Sequence, residues 1–276
     1  MCLCPAHADR NPSLSVRVGQ TSLLFKCFAG CDTLDVLREI RRLCPEAIDT
    51  LAPPSSAKAH GTADRHLWFR TRARELWAQA NAIAGTPAEA YLLKRALRPV
   101  TPSLRYHRQV PLGKAHELAF RPALLAAVHE RGALVAVQRT FLDPDRARRA
   151  RDLANPRRLL GRPGQGAVVL ASATETLGLA EGIETALSAM TLLDVPVWAV
   201  LGSERLARVI IPTGVNRLLL LPDNDRAGRL GAIAALEAYA AEGRVIETLW
   251  PPDGFNDWND VLRAGGKGVS GLRRAA

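Results

Sequence analysis

No apolar stretch among the 276 residues approaches the roughly 20 needed to cross a bilayer as a helix, so no membrane association is expected. The opening Met1-Cys2-Leu3-Cys4-Pro5-Ala6-His7 lacks the charged and apolar regions of a secretory signal, and a cytoplasmic location is expected. No GxxxxGKS or GxxxxGKT segment is present, which excludes a recognisable P-loop motor, and there is no internal repeat. Cysteine is scarce. In a reducing compartment the five cysteines are thiols or metal ligands rather than disulfides. Acid is in deficit: 27 Asp and Glu stand against 37 Lys and Arg, for a net charge of +10. A GC-rich genome explains arginine in place of lysine, but not the surplus of base over acid. That surplus points to nucleic acid as a partner.

What is present begins with a cysteine-bearing unit over residues 1–50. Ser13-Leu14-Ser15-Val16-Arg17-Val18 alternates polar and apolar, Ser22-Leu23-Leu24-Phe25-Lys26 follows after Gly19-Gln20, and the two predict a hairpin. Asp32-Thr33 then caps a helix carrying Leu34, Val36, Leu37, Ile40 and Leu43. Cys4-x2-His7 precedes the hairpin and Cys27-x3-Cys31 closes it. Three thiols and one imidazole in two close pairs suit tetrahedral Zn2+. A structural ion of that kind would hold together a unit lacking a large core. Cys2 competes as a ligand by proximity, whereas Cys44, on the helix, reads as packing.

Residues 51–64, with Pro53-Pro54-Ser55-Ser56, read as a linker, and an amphipathic helix over 65–84 displays Trp68, Leu76, Trp77 and Ile83. Pro87 opens a second helix through Leu93. Ala123–Glu130 and Ala133–Leu142 predict a strand hairpin, followed by a strongly basic stretch over 146–162. From 174 onward strands near 177–180, 196–200, 217–222 and 244–249 alternate with helices Ile183–Leu193 and Ala227–Glu242. The expected class is α/β, a largely parallel sheet flanked by helices over 173–276. A mixed α+β basic subdomain over 86–172, a linker and helix over 51–85, and the cysteine unit precede it.

Two acidic groups fall where predicted strands end: Glu181 after Leu177-Gly178-Leu179-Ala180, and Asp223-Asn224-Asp225 after Leu218-Leu219-Leu220-Leu221-Pro222. Ligands of open α/β sheets bind outside the carboxyl ends of the strands, so Glu181, Asp223 and Asp225 are expected at one site. Gathered acids repel unless a cation sits among them, and hard oxygens suit Mg2+ or Mn2+. Singly, an Asp before a helix is also a common cap. Glu184, one turn beyond Glu181, reads as a first-turn residue favoured by the helix dipole. Gly182 and Gly228 read as points where backbone approaches a ligand or a neighbouring helix closely.

Cys4-Pro5-Ala6-His7-Ala8-Asp9-Arg10-Asn11-Pro12-Ser13-Leu14 with Cys27-Phe28-Ala29-Gly30-Cys31 resembles the zinc-binding domain of bacterial and phage DNA primases. In that family the ribbon precedes the polymerase core and helps engage single-stranded template. Residues 174–265 separately resemble the Toprim fold shared by those primases, type IA and II topoisomerases and some nucleases, and the order of the two matches is that of primases. The resemblance implies a nucleotidyltransferase that binds single-stranded DNA and makes short RNA primers from ribonucleoside triphosphates. Zn2+ would sit on Cys4, His7, Cys27 and Cys31, and Mg2+ or Mn2+ on Glu181, Asp223 and Asp225, with Glu181 left open as metal ligand or general base. Asp257, within Phe255-Asn256-Asp257-Trp258-Asn259-Asp260, resembles the additional acid that helps position metal, while Asn259-Asp260 also reads as a helix-start cap. Arg139, Arg148, Arg149, Arg157 and Arg158 occupy the position of the basic subdomain whose cations line the nucleotide and template groove. Compact size and the missing motor imply a small mobile-element form working with a separate replicative helicase. The other two readings are a Toprim-type metal-dependent nuclease and a non-catalytic single-stranded DNA-binding accessory protein.

Overall fold

The computed structural model describes residues 1–9, 11–18, 23–43, 55–99, 101–113, 118–240 and 243–266, and the chain divides into two units, Met1–Asp64 and Arg65–Ala276. In the first unit the hairpin forms as expected: β1 (Leu14–Val18) runs antiparallel to β2 (Leu23–Cys27), with Leu14 opposite Cys27. Helix α1 (Thr33–Leu43) lays Val36 and Ile40, one turn apart, against Cys4, Leu14 and Cys27. Leu43, expected on that face, is 56% exposed. Residues 19–22 and Cys44 lie outside the described residues.

Helix α2 (Ser55–Ala78) starts inside the stretch read as linker and stops well before residue 84. Ala57, Lys58 and Ala59 are good helix formers, and they outweigh the preceding prolines as a boundary signal; residues 51–54 lie outside the described residues. The helix ends because Asn81 exchanges both backbone hydrogen bonds with Tyr106, drawing the chain into sheet pairing. Ala73 and Leu76 are buried, Trp68 is exposed, and Ile83 packs into a different core from Leu76. Helix α3 (Pro87–Leu93) follows within the expected bounds.

One nine-stranded sheet organises the second unit. Its antiparallel part is β3 (Leu104–Leu112), β4 (Ala119–Glu130), β5 (Ala133–Phe141), β6 (Arg157–Gly161) and β7 (Ala167–Val169). The expected β4–β5 hairpin is present, whereas β3, β6 and β7 were not anticipated. The parallel part is β8 (Thr176–Ala180), β9 (Val197–Ala199), β10 (Arg217–Leu221) and β11 (Val245–Thr248), in spatial order β11-β10-β8-β9. Helices α4 (Ile183–Leu193), α5 (Arg226–Tyr239) and α6 (Trp258–Arg263) complete it. The runs Leu177–Ala180 and Leu218–Leu221 are buried, as central strands covered on both faces require. The connection from β8 runs to β9 on one side and that from the adjacent β10 runs to β11 on the other. That switch opens a crevice at the strand ends. No helix among the described residues is long and apolar enough to cross a membrane.

Candidate functional site

The ligand atoms of Cys4, His7, Cys27 and Cys31 all lie within 4.8 Å of one another. The β1–β2 register carries Cys27 back beside Leu14, and the turn after Cys27 returns Cys31 to the same point. His7 offers Nδ1, 3.1 Å from Cys31 Sγ, while its Nε2 lies 3.5 Å from Asp9 Oδ1. Asp9 also accepts from the Cys4 and Ser13 N–H groups and from the Ser13 hydroxyl, at 2.7, 3.2 and 2.6 Å. That hydroxyl bond, first, and the Cys4 N–H hold its carboxyl down to about 2. A carboxylate oriented on the far nitrogen of a histidine is a recurrent support of metal ligands, and Asp9 was not singled out from the sequence. The thiols cannot all ionise together: the Cys31 N–H holds Cys27 down to about 6, while burial pushes Cys31 up to about 11. A divalent cation removes that conflict, and three thiols with an imidazole fit Zn2+. Cys2 is exposed and donates to Leu14 O, outside the group.

In the second unit, parallel pairing sets Ala180 beside Leu221, so Glu181 and Asp223 emerge side by side. The Asp223 N–H donates to Glu181 Oε1 at 3.2 Å, and Thr185 Oγ1 donates to Asp223 Oδ1 at 3.4 Å. Leu201 and Gly202 N–H groups hold the Glu181 carbonyl, with Leu201 at φ +70°, a left-handed conformation that a leucine adopts only under constraint. Gly228 is required here: a Cβ on it would lie 2.1 Å from Asp223 O and 3.0 Å from Glu181 Oε1. Gly182 is not so confined, since a Cβ there meets nothing nearer than 3.6 Å. Glu181, Glu184, Glu204, Asp223 and Asp257 line a cleft of about 550 Å³ together with Gln138, Thr185, Arg157 and Arg208. Burial first, then Asp223, pushes Glu181 up to about 7, and burial with Asp257 pushes Asp223 up to about 6.

These acids border the cleft without closing into a cage. Among the described residues the Cys3His group is where three or more such ligand atoms converge. Asp225 N-caps α5, its Oδ1 accepting from Gly228 N at 2.7 Å, and Asp257 N-caps α6, its Oδ1 accepting from Asp260 N at 2.8 Å. The cap foreseen at Asn259-Asp260 is therefore Asp257 itself. Each Asp keeps a second carboxylate oxygen. An open oxygen-rich rim fits Mg2+ or Mn2+, since Mg2+ takes one or two carboxylates and completes its shell with waters and substrate phosphates. A larger cleft of about 650 Å³ beside Trp198 has one lining carboxylate, Glu130, already bonded to the Gln165 N–H at 2.6 Å.

Comparison with known families matches residues 176–268 to the Toprim domain model. The parallel sheet and helices over residues 176–266 have the Toprim fold. Residues 68–170 match a domain of unknown function, DUF7146. No curated protein matches the sequence. Among solved structures, a DNA primase domain from Pseudomonas aeruginosa shares 16% identity with a TM-score of 0.53, covering 75% of this chain and 78% of its own. The DnaG primase catalytic domain bound to ssDNA gives 17% identity and a TM-score of 0.54, covering 79% and 82%. The RNA polymerase domain of Mycobacterium tuberculosis DnaG, bound to a DNA duplex with an overhang, gives 16% and 0.50, covering 77% and 80%. The fold is that of primase catalytic cores.

Around the Toprim cleft the arginines separate into three groups. Arg157 lines the cleft from β6. Arg148 and Arg149 line a second cleft of about 610 Å³ with Lys94, Arg95, Arg146 and Arg151, and no carboxylate lines it. Arg148 also pairs with Asp143 at 2.8 Å. Arg139 and Arg158 are cross-strand partners on the opposite face of the sheet. There Arg139 reaches Pro111 O and Leu159 O and lies over Phe141, while its neighbour Gln138 faces the Toprim cleft. Arg205, unanticipated, lines the cleft but is committed to the carbonyls of Val200, Gly164 and Gly166 at 2.6, 3.0 and 2.6 Å.

Proposed function

We propose that the chain is a primase-type nucleotidyltransferase that copies single-stranded DNA into short RNA primers. The observation that carries this is one cleft at the switch point of a Toprim sheet in which Glu181 and Asp223 meet while an arginine faces them. Two supports are independent of it. The fold matches primase catalytic cores over three quarters of the chain, and a Cys3His group precedes the core in the order primases use.

In this reading Asp223, Asp225 and Glu181, with Asp257 at the rim, hold Mg2+ or Mn2+, and Cys4, His7, Cys27 and Cys31 hold Zn2+. When bound at the cleft, the ion would neutralise triphosphate charge and ease attack at phosphorus. The primer 3′-hydroxyl forms a bond to the α-phosphorus, the bond to pyrophosphate breaks, and the hydroxyl proton leaves to solvent or a carboxylate. The protein's task is placement and charge stabilisation. Helix α4 opens at Gly182 without a side-chain cap, and its N-terminus borders the cleft. Arg157 supplies a fixed cation opposite the acids, and the basic cleft of Arg148 and Arg149 tracks the template backbone. Helicase activity belongs to a separate partner.

Incubation with single-stranded DNA, labelled ribonucleotides and Mg2+ or Mn2+ tests the proposal. New short products are expected, and Asp223→Ala should abolish them while sparing DNA binding. Shortened template identifies a nuclease instead, and retention of unchanged DNA identifies a binding protein.

A further inference from the structure

Glu184 lies in the first turn of α4, as its place in the sequence predicts, but with its carboxylate buried. It is 8% exposed, it accepts a hydrogen bond from the Tyr91 hydroxyl, and its Oε2 lies 3.0 Å from Arg157 Nη2. The three side chains come from α4, α3 and β6, elements far apart in sequence. Burial alone would raise the Glu184 carboxyl, but Arg157 and Tyr91 overcome it and hold the group below its ordinary value. The charge therefore stays inside the protein.

A buried ion pair is a poor source of stability compared with apolar packing, and its better-attested use is to fix a geometry. The asymmetry of this pair says which geometry. The Glu184 side chain is 10% exposed and that of Arg157 is 38%, so the carboxylate is inside and the guanidinium is at the wall of the cleft. A guanidinium presents five donors in a planar fork. Glu184 engages Nη2, and Arg157 lines the same cleft as Asp223. Tyr91 braces the pair from behind: its ring lies under Arg95, 4.5 Å from the centroid, and its hydroxyl reaches Glu184. Tethering one edge of a long side chain before a ligand arrives removes the entropy cost of ordering it on binding.

We propose that Glu184, with Tyr91, is a positioning pair that presents Arg157 to the phosphate chain of a nucleoside triphosphate in the Toprim cleft. The inference rests on the nucleotidyltransferase reading for the identity of the ligand, and its test does not require turnover.

The measurement is the affinity of the full chain, with Mn2+, for a fluorescent ATP analogue. The chains compared are wild type, Glu184→Gln, Arg157→Ala and the double variant. Loss of a charge-assisted contact predicts roughly tenfold weaker binding for each single variant. The double variant should be no weaker than Arg157→Ala, because Glu184 acts through Arg157. Binding unchanged in Glu184→Gln, or losses that multiply in the double variant, overturns the proposal. So does a wild-type chain that binds no triphosphate. Thermal melts accompany the series, and Tyr91→Phe, expected to weaken binding less and to show the same dependence on Arg157, replaces Glu184→Gln if that variant does not fold. A wild-type chain that binds the triphosphate but yields no primer sinks the nucleotidyl-transfer reading and leaves this inference intact.

Discussion

In the N-terminal unit four ligand atoms lie within 4.8 Å of one another, and the apolar core around them is Cys4, Leu14, Cys27 and Val36 with a few partly buried neighbours. In the Toprim domain the carboxylates stand on the rim of a sheet whose core runs through tens of buried side chains. The first arrangement has ligands in excess of packing, and the second has packing in excess of ligands. In the proposed reading a cation at the cluster would supply the stability that so small a core lacks. The cleft is already built, and burial with mutual repulsion raises the carboxyls of Glu181 and Asp223. The proposed zinc site would be structural and closed, and the proposed Mg2+ or Mn2+ site open to substrate.

The sharpest way to break this contrast is metal removal. Chelation, or Cys27→Ser, should unfold the hairpin and α1, since structural zinc contributes on the order of 10 kcal/mol in small zinc domains. Hydrogen exchange should lose protection over residues 14–43 and keep it over 104–263. Protection retained at the hairpin would show that its packing suffices alone.

Next in size is the acid cleft. Asp223→Ala should lower primer synthesis on the order of 10³-fold, the loss of several kcal/mol of metal-supplied stabilisation. Stability should move the other way. Asp223→Asn removes a repelling charge, so in EDTA at pH 8 the melting temperature should hold or rise by about 2–4 °C. A clear fall would mean that the carboxylate stabilises the fold rather than straining it. At the cluster, Asp9→Asn should leave the ligands in place but weaken zinc by roughly 10–100-fold in a competition titration. An unchanged affinity would remove Asp9 from the support of His7.

The same contrast predicts a pH dependence for the cleft. Glu181 is raised from 4.5 to about 7 and Asp223 from 3.8 to about 6. Between those values the folded chain binds more protons than the unfolded one, so stability falls as pH rises through that window. Without divalent ions the Toprim melting temperature should therefore decline from pH 5 to pH 8. Added Mn2+ should restore more at pH 8 than at pH 5. A melt that rises with pH in EDTA would contradict the raised carboxyls.

Much of this was legible in residue order, for identifiable reasons. Pro87 and the apolar period set α3, and runs such as Leu218–Leu221 have no reading but a covered strand. Convergence of Glu181 and Asp223 followed from strand ends alone. Side-chain direction did not. On β5, Ala136 pairs with Val128 and Leu134 with His129, leaving Val135 as an extra residue. That bulge flips every later side chain, sending Gln138 to the cleft and Arg139 to the far face. Glu184 was equally hidden, because its partner Tyr91 lies 93 positions away. Asp9 was readable: an acid two residues after a ligand histidine is placed to orient it.

The smallest effect tests which face of the sheet meets DNA. Each phosphate contact to single-stranded DNA adds roughly 0.7 to the slope of log affinity against log salt. Arg149 lines the basic cleft, so Arg149→Ala should reduce the slope by about that amount in fluorescence anisotropy titrations. Arg139 lies on the opposite face with its guanidinium on the Pro111 and Leu159 carbonyls, and Arg139→Ala should leave the slope unchanged. Since the two arginines differ in face and not in charge, the pair separates a template track on one side of the sheet from a diffuse basic surface. Equal losses at both positions would favour the diffuse surface.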